Sequence, residues 1–137
     1  CTAEQAYSWT DGRCIFASGS PFEPVTVNGK TFVPGQGNNA YIFPGVGLGV
    51  VVSRSYVVPD TMFLTAADTL SAMVTDESIS SGQIYPPLAS IGEVSKNIAV
   101  AVARQAESDG LMDSVIPDNL NQHIDKYLYK AVYTDYT

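Results

Sequence analysis

The chain has 137 residues and 14.6 kDa, with 45 % hydrophobic and 10 % aromatic residues. That length and composition suit one folded domain and exclude a disordered chain. Fourteen acidic against 7 basic residues give a formal charge of −7, which argues against nucleic acid and against an anionic membrane surface as partners.

The chain opens on Cys1, not on Met, with no basic-then-apolar leader, so a processed product or a piece of a longer protein is the expectation. Two cysteines, Cys1 and Cys14, and one histidine supply neither a disulfide framework nor a closed zinc site. Thr2 and Gln5 have capping-box spacing and predict a short helix through Ala6, Tyr7 and Trp9, stopped by Asp11-Gly12. The apolar run from Cys14 to Ala17 predicts a buried strand, ended by Ser18-Gly19-Ser20-Pro21. Val25 to Val27 and Thr31 to Val33 flank Asn28-Gly29, the signature of a tight hairpin. Pro34 to Asn39 reads as a loop.

A helix should start between Asn39 and Pro44, because proline is tolerated in a first helical turn. Its glycines at 45, 47 and 49 each cost about 1 kcal/mol relative to alanine, and something must offset that. Gly45 and Gly49 lie on one face, where they permit close approach of another element. The same glycines do not make a dinucleotide fingerprint: position 50 is Val, and no strand precedes them. Pro59-Asp60 opens a second helix with a stripe of Met62, Phe63, Ala66, Leu70 and Met73. Thr75 caps a further turn before Gly82, and Tyr85-Pro86-Pro87 is a stiff connector. A third long helix runs from Ile91 to Glu107 with Val94, Ile98 and Val102 inward and Gly110 beyond its end. Residues 117–137 form a tail with a short helical stretch near Leu120 to Tyr127 and four tyrosines, Tyr127, Tyr129, Tyr133 and Tyr136.

Few side chains carry a chemical signal by themselves. His123 sits in a polar stretch with no nucleophile or acid spaced to make a triad. Asp76 and Glu77 suit a helix N-terminus through its dipole. Asn38-Asn39 offers amide donors beside free backbone N–H groups at a helix start, which suits a small carboxylate. Ser18 and Ser20 flank a strand end, where ligands of open α/β sheets sit.

Several blocks taken together resemble one family. They are Cys1-Thr-Ala-Glu-Gln-Ala-Tyr7, Gly12-Arg-Cys-Ile-Phe-Ala-Ser-Gly-Ser-Pro-Phe22, Phe32-Val-Pro-Gly-Gln-Gly-Asn-Asn39, Tyr41-Ile-Phe-Pro-Gly45 and Ile84-Tyr-Pro-Pro87. In order and spacing they resemble the C-terminal part of malic enzymes.

The resemblance implies an α/β fold: the C-terminal end of a Rossmann-like nucleotide-binding domain with a small hairpin, three packed helices and an extended helical tail. It divides the chain into residues 1–115, a portion of the NAD(P)-binding domain, and 116–137, a subunit-contact extension. It implies an oxidoreductase that converts malate to pyruvate with NAD or NADP and a divalent metal, Mg or Mn. Asn38 and Asn39 would bind substrate; Asn38, Ser18 and Gly19 would face the cofactor. The family's catalytic tyrosine and lysine, its metal carboxylates and its Gly-rich nucleotide turn fall upstream of the region this chain matches. The expectations are therefore a fragment inactive alone, no metal ligands here, a homo-oligomeric dimer or tetramer, and an intracellular location in cytosol, mitochondrion or plastid. The competing expectation is an assembly module whose tyrosine-rich tail contacts neighbouring subunits.

Overall fold

A computed structural model describes residues 1–113, 115–129 and 132–133. The chain begins with a helix, α1 (Ala3–Trp9). Thr2 Oγ1 accepts from Gln5 N–H and Gln5 Oε1 accepts from Thr2 N–H, so the reciprocal cap expected from the sequence is formed. Ala3 and Tyr7 turn inward from α1, and Tyr7 stacks on Phe32 with ring centroids 4.8 Å apart. Phe32 lies on the return strand of a hairpin, β2 (Val25–Val27) with β3 (Lys30–Phe32). Asn28 and Gly29 at its tip have φ of 52° and 77°, the left-handed pair that matches the twist of two antiparallel strands. Helix, hairpin, Cys14 and Phe16 make a small core of their own.

The stretch from Cys14 to Ala17 departs from the sequence expectation. Only Ala17 and Ser18 form a strand, β1 (Ala17–Ser18), and Ile15 is 62 % exposed. Cys14 and Phe16 face the small core while Ile15 faces out, so the segment is pleated with one buried face, not a run buried on both. Its partner is β4 (Gly35–Gln36), inside the region expected to be loop. The pairing is parallel, Ala17 with Gly35 and Ser18 with Gln36, and the hairpin fills the crossing between them.

The larger core is helical. A 3₁₀ turn (Asn39–Tyr41) leads into α2 (Phe43–Ser53), with Pro44 in its first turn. α3 (Asp60–Ala72) and the short α4 (Asp76–Ser80) follow, then α5 (Ile91–Ser108). Met62, Ala66 and Leu70 of α3 meet Val94, Ile98, Val102 and Ala106 of α5, together with Val46 of α2. Phe63 of the expected α3 stripe points elsewhere and stays 39 % exposed, because its position falls one residue off the face set by Met62, Ala66 and Leu70. Residues 120–125 form α6 (Leu120–Asp125), whose Leu120 and Ile124 pack with Ala99 and Ala103 of α5.

Two of the three glycines of α2, Gly45 and Gly49, find their offset in this core. A methyl group at Gly45 would meet Ile98 Cβ at 2.7 Å and the Ser95 carbonyl at 2.9 Å. At Gly49 it would meet Val102 Cβ at 2.8 Å and the Ala99 carbonyl at 2.9 Å. The α2 backbone therefore lies directly on α5, a contact open only to glycine. Among the described residues, no helix is long and apolar enough to cross a membrane.

Candidate functional site

The parallel pairing of β1 with β4 sets up the site. Gly35 N–H donates to the Phe16 carbonyl at 2.9 Å, and Gly37 N–H to the Ser18 carbonyl at 2.8 Å. The chain leaves β4 held on that edge and turns at once into Asn38. Asn38 Oδ1 accepts from Ala40 N–H at 2.9 Å, and its carbonyl accepts from Tyr41 N–H at 3.0 Å. One oxygen of the Asn38 side chain is thus used by the fold. Its Nδ2 donors have no protein partner among the described residues. Fixing the oxygen fixes the direction of the donors, so they are presented without a further rotamer cost.

Asn38 and Asn39 line a cleft of about 340 Å³, with Gly37, Tyr41, Phe43, Phe63 and Tyr85 among its other walls. Asn38 is half-buried and Asn39 exposed. The aromatic walls lower the local polarity around a few amide donors, a mixture suited to a small polar ligand that must be desolvated. Phe63 and Phe43 carry this wall, and the sequence reading placed neither in the site. The signal available was the large exposed aromatic, visible only once the helix faces are known.

Ser18 and Gly19 sit on the neighbouring strand end and are not walls of this cleft. Ser18 takes part through its carbonyl, which pairs with Gly37, and the Gly19 carbonyl accepts from Gln36 Nε2 at 3.3 Å. The pair is brought beside the asparagine turn by β-pairing, one strand away from it. The helix starts at Phe43, within the expected span from Asn39 to Pro44; Asn38 caps the 3₁₀ turn that precedes it, and Ile42 stands at the cap of α2.

Two tyrosines close to these elements have shifted acidity. Burial pushes the Tyr41 phenol above its ordinary value, with the neighbouring Tyr85 adding to it; its hydroxyl donates to the Pro86 carbonyl at 2.6 Å. Burial also raises Tyr7, with Cys14 a smaller cause. Tyr7 is fully buried, and its hydroxyl has no partner among the described residues.

Other candidates resolve as structural. Asp76 and Glu77 occupy the first turn of α4, capped by Thr75. Asp109 takes hydrogen bonds from Thr61 Oγ1 and Gln105 Nε2 at the end of α5. His123 lies on α6 with its ring 5.4 Å from that of Tyr127. Among the described residues, no group of three His, Cys, Asp or Glu is placed to hold a metal ion.

Comparison with known proteins bears on all of this. The chain is 52 % identical over 137 residues to the NADP-dependent malic enzyme of Vitis vinifera, covering 99 % of this chain and 23 % of that protein. It is 53 % identical over 133 residues to the NADP-dependent malic enzyme of Dictyostelium discoideum, covering 97 % of this chain and 24 % of that one. Identity to the chloroplastic NADP-dependent malic enzyme of Zea mays is 50 % over 137 residues, 99 % of this chain and 22 % of that protein. The chain thus spans about a quarter of the length of the curated relatives it matches. The family model described as malic enzyme, NAD binding domain, matches residues 1–107, and the chain belongs to that family, within its NAD-binding domain.

Proposed function

We propose that this chain works within a malic enzyme that oxidises malate and decarboxylates it to pyruvate, with NADP as the hydride acceptor. The naming of the similar plant and amoebal proteins as NADP-dependent supports the choice of NADP. The chain would form the C-terminal end of the Rossmann-like domain over residues 1–115, with 116–137 as an extension of it.

One observation carries the substrate role: Asn38 lines an aromatic-walled cleft with its amide oxygen held by the Ala40 N–H and its nitrogen without a protein partner among the described residues. Those donors suit a carboxylate or hydroxyl oxygen of malate. Bound so, the substrate would be oriented with its hydroxyl carbon toward the nicotinamide, and orientation of that kind supplies several kcal/mol of a barrier. Asn39 would add a second donor at the rim. Ser18 and Gly19, one strand away, would face the cofactor edge, with Asn38 between the two ligands.

The test is steady-state kinetics of the complete malic enzyme subunit containing this segment. Asn38→Ala should raise KM for malate or lower kcat, with kcat/KM falling about 10- to 100-fold, the range of a lost hydrogen bond to a charged group. Unchanged kinetics refute the substrate role.

A second reading is favoured by a specific observation. Tyr129 is 92 % exposed and Tyr133 fully exposed, and Val132 and Tyr127 also stand open. Tyrosine joins large apolar area to a polar tip and is enriched in interfaces. Tyr136, the fourth tyrosine expected there, lies outside the described residues. Deleting Lys126 to Thr137 from the complete subunit should change oligomer size by sedimentation if this segment assembles; an unchanged size ends the reading.

A further inference from the structure

We propose that Tyr41 and Tyr85 act as a stacked pair that positions the Asn38 amide, working through the Gly35–Asn39 backbone. This rests on the substrate role given to Asn38 above. Two residues 44 apart in sequence meet here with their rings 5.3 Å apart and 12° from parallel. Each is tied to a different side of the asparagine turn.

Tyr41 ends the turn. Its N–H closes on the Asn38 carbonyl, the residue is buried, and its hydroxyl donates to the Pro86 carbonyl at 2.6 Å. Tyr85 covers the strand that enters the turn. A methyl group at Gly35 would lie 3.4 Å from Tyr85 Cδ2, and one at Gly37 would lie 3.6 Å from Tyr85 Oη. The Tyr85 side chain therefore runs along the face of the chain from Gly35 in β4 to Gly37 just beyond it. The strand edge is held separately by the Phe16 and Ser18 carbonyls. Asn38 is reached through two glycines, which have no side chains to hold themselves in place. Tyr85 packs over both glycines, sharing Gly35 with Ala17 Cβ and Ile84 Cγ1, and Pro86-Pro87 stiffens the segment that carries it.

The two tyrosines are positioning residues in this account. Misplacement of an orienting donor by about 1 Å can cost on the order of 100-fold in rate, so the brace has a kinetic consequence. Nothing in it requires either phenol to exchange a proton with substrate.

The experiment measures malate kinetics and melting temperature of the complete malic enzyme subunit with Tyr85→Leu, Tyr85→Phe, Tyr41→Phe, Asn38→Ala and the Asn38→Ala/Tyr85→Leu double change. Tyr85→Leu should raise KM for malate about tenfold, and Tyr85→Phe, which keeps the ring over Gly35 but loses the Oη contact at Gly37, should give a smaller rise of about threefold. The double change should be no worse than Asn38→Ala alone by more than about twofold, because both act through one amide. Effects that multiply show that Tyr85 acts independently and overturn the proposal. If Asn38→Ala is impaired and Tyr85→Leu is not, the brace fails and the substrate role stands. If Asn38→Ala is unimpaired, both fall. Should Tyr85→Leu fail to fold, Tyr41→Phe carries the test. Losing the tie to Pro86 should raise KM about threefold while the subunit still folds with a melting temperature only a few degrees lower, and an unchanged KM overturns the proposal.

Discussion

A methyl group added to α2 should have opposite effects at two positions only two residues apart, on opposite faces of the helix. At Gly47, which is exposed and has nothing within 4 Å of an added Cβ, alanine removes backbone freedom from the unfolded chain and should stabilise by about 0.5–1 kcal/mol. At Gly45 the same gain is present, but the new carbon meets Ile98 Cβ and Cγ2 at 2.7 Å and the Ser95 carbonyl at 2.9 Å. Carbon pairs prefer about 3.5–4.0 Å. The carbonyl belongs to α5, so relief requires the helices to separate and the Val46, Ile98 and Val102 core to open. Overpacking of this kind costs about 1–3 kcal/mol, and the backbone partner places Gly45→Ala at the upper end. The net expectation is about 2 kcal/mol of destabilisation. For a chain of this size 1 kcal/mol moves the melting temperature by about 3–4 °C, so the two variants should differ by roughly 10 °C. Thermal unfolding of the two single variants by circular dichroism decides it. Equal shifts in the same direction would mean that α2 does not lie on α5 through its backbone.

Three further expectations follow from burial. Tyr7→Phe removes a buried hydroxyl without a protein partner and should leave urea stability unchanged or raise it, whereas Tyr41→Phe strands the Pro86 carbonyl and should cost about 1 kcal/mol. Both phenols are raised by burial, so the stability from keeping them neutral is fully present below the ordinary tyrosine range near 10 and is lost as pH climbs through the raised values. Alkaline titration should show a late phenolate step coincident with loss of helical signal, and the double Phe variant should lack it. Ile124→Ala, at a fully buried contact of α6 with α5, should destabilise by about 2–4 kcal/mol; a cost under 1 kcal/mol would show that α6 is not docked.

Local signals were readable from the chain because their causes are local. The Thr2/Gln5 cap, the Asn28-Gly29 turn, the α5 stripe and the packing glycines each depend on residues within a turn or two of one another. The β1–β4 pairing escaped because it joins residues 18 apart through strands of two residues, too short to show any period. Phe63 was assigned to the core because a helical stripe gives a face only to within about one residue, and the true face is set by which residues α5 presents. The Tyr41–Tyr85 stack leaves no trace in periodicity. Asn38 stood out only faintly as an amide before a helix; its weight came from the family resemblance, and the reason it suits a ligand came from seeing which of its atoms the backbone already uses.

That division within the Asn38 side chain has a consequence for how fold and chemistry can be varied apart. The turn depends on an oxygen; a ligand would meet a nitrogen. An aspartate there exchanges one atom, keeps an acceptor for the Ala40 amide, and turns two donors into a negative charge. The backbone path would survive while the cleft changed from welcoming a carboxylate to repelling one. On the proposed role of Asn38, a single heavy atom, not the shape of the loop, would set the sign of charge this corner of the protein accepts.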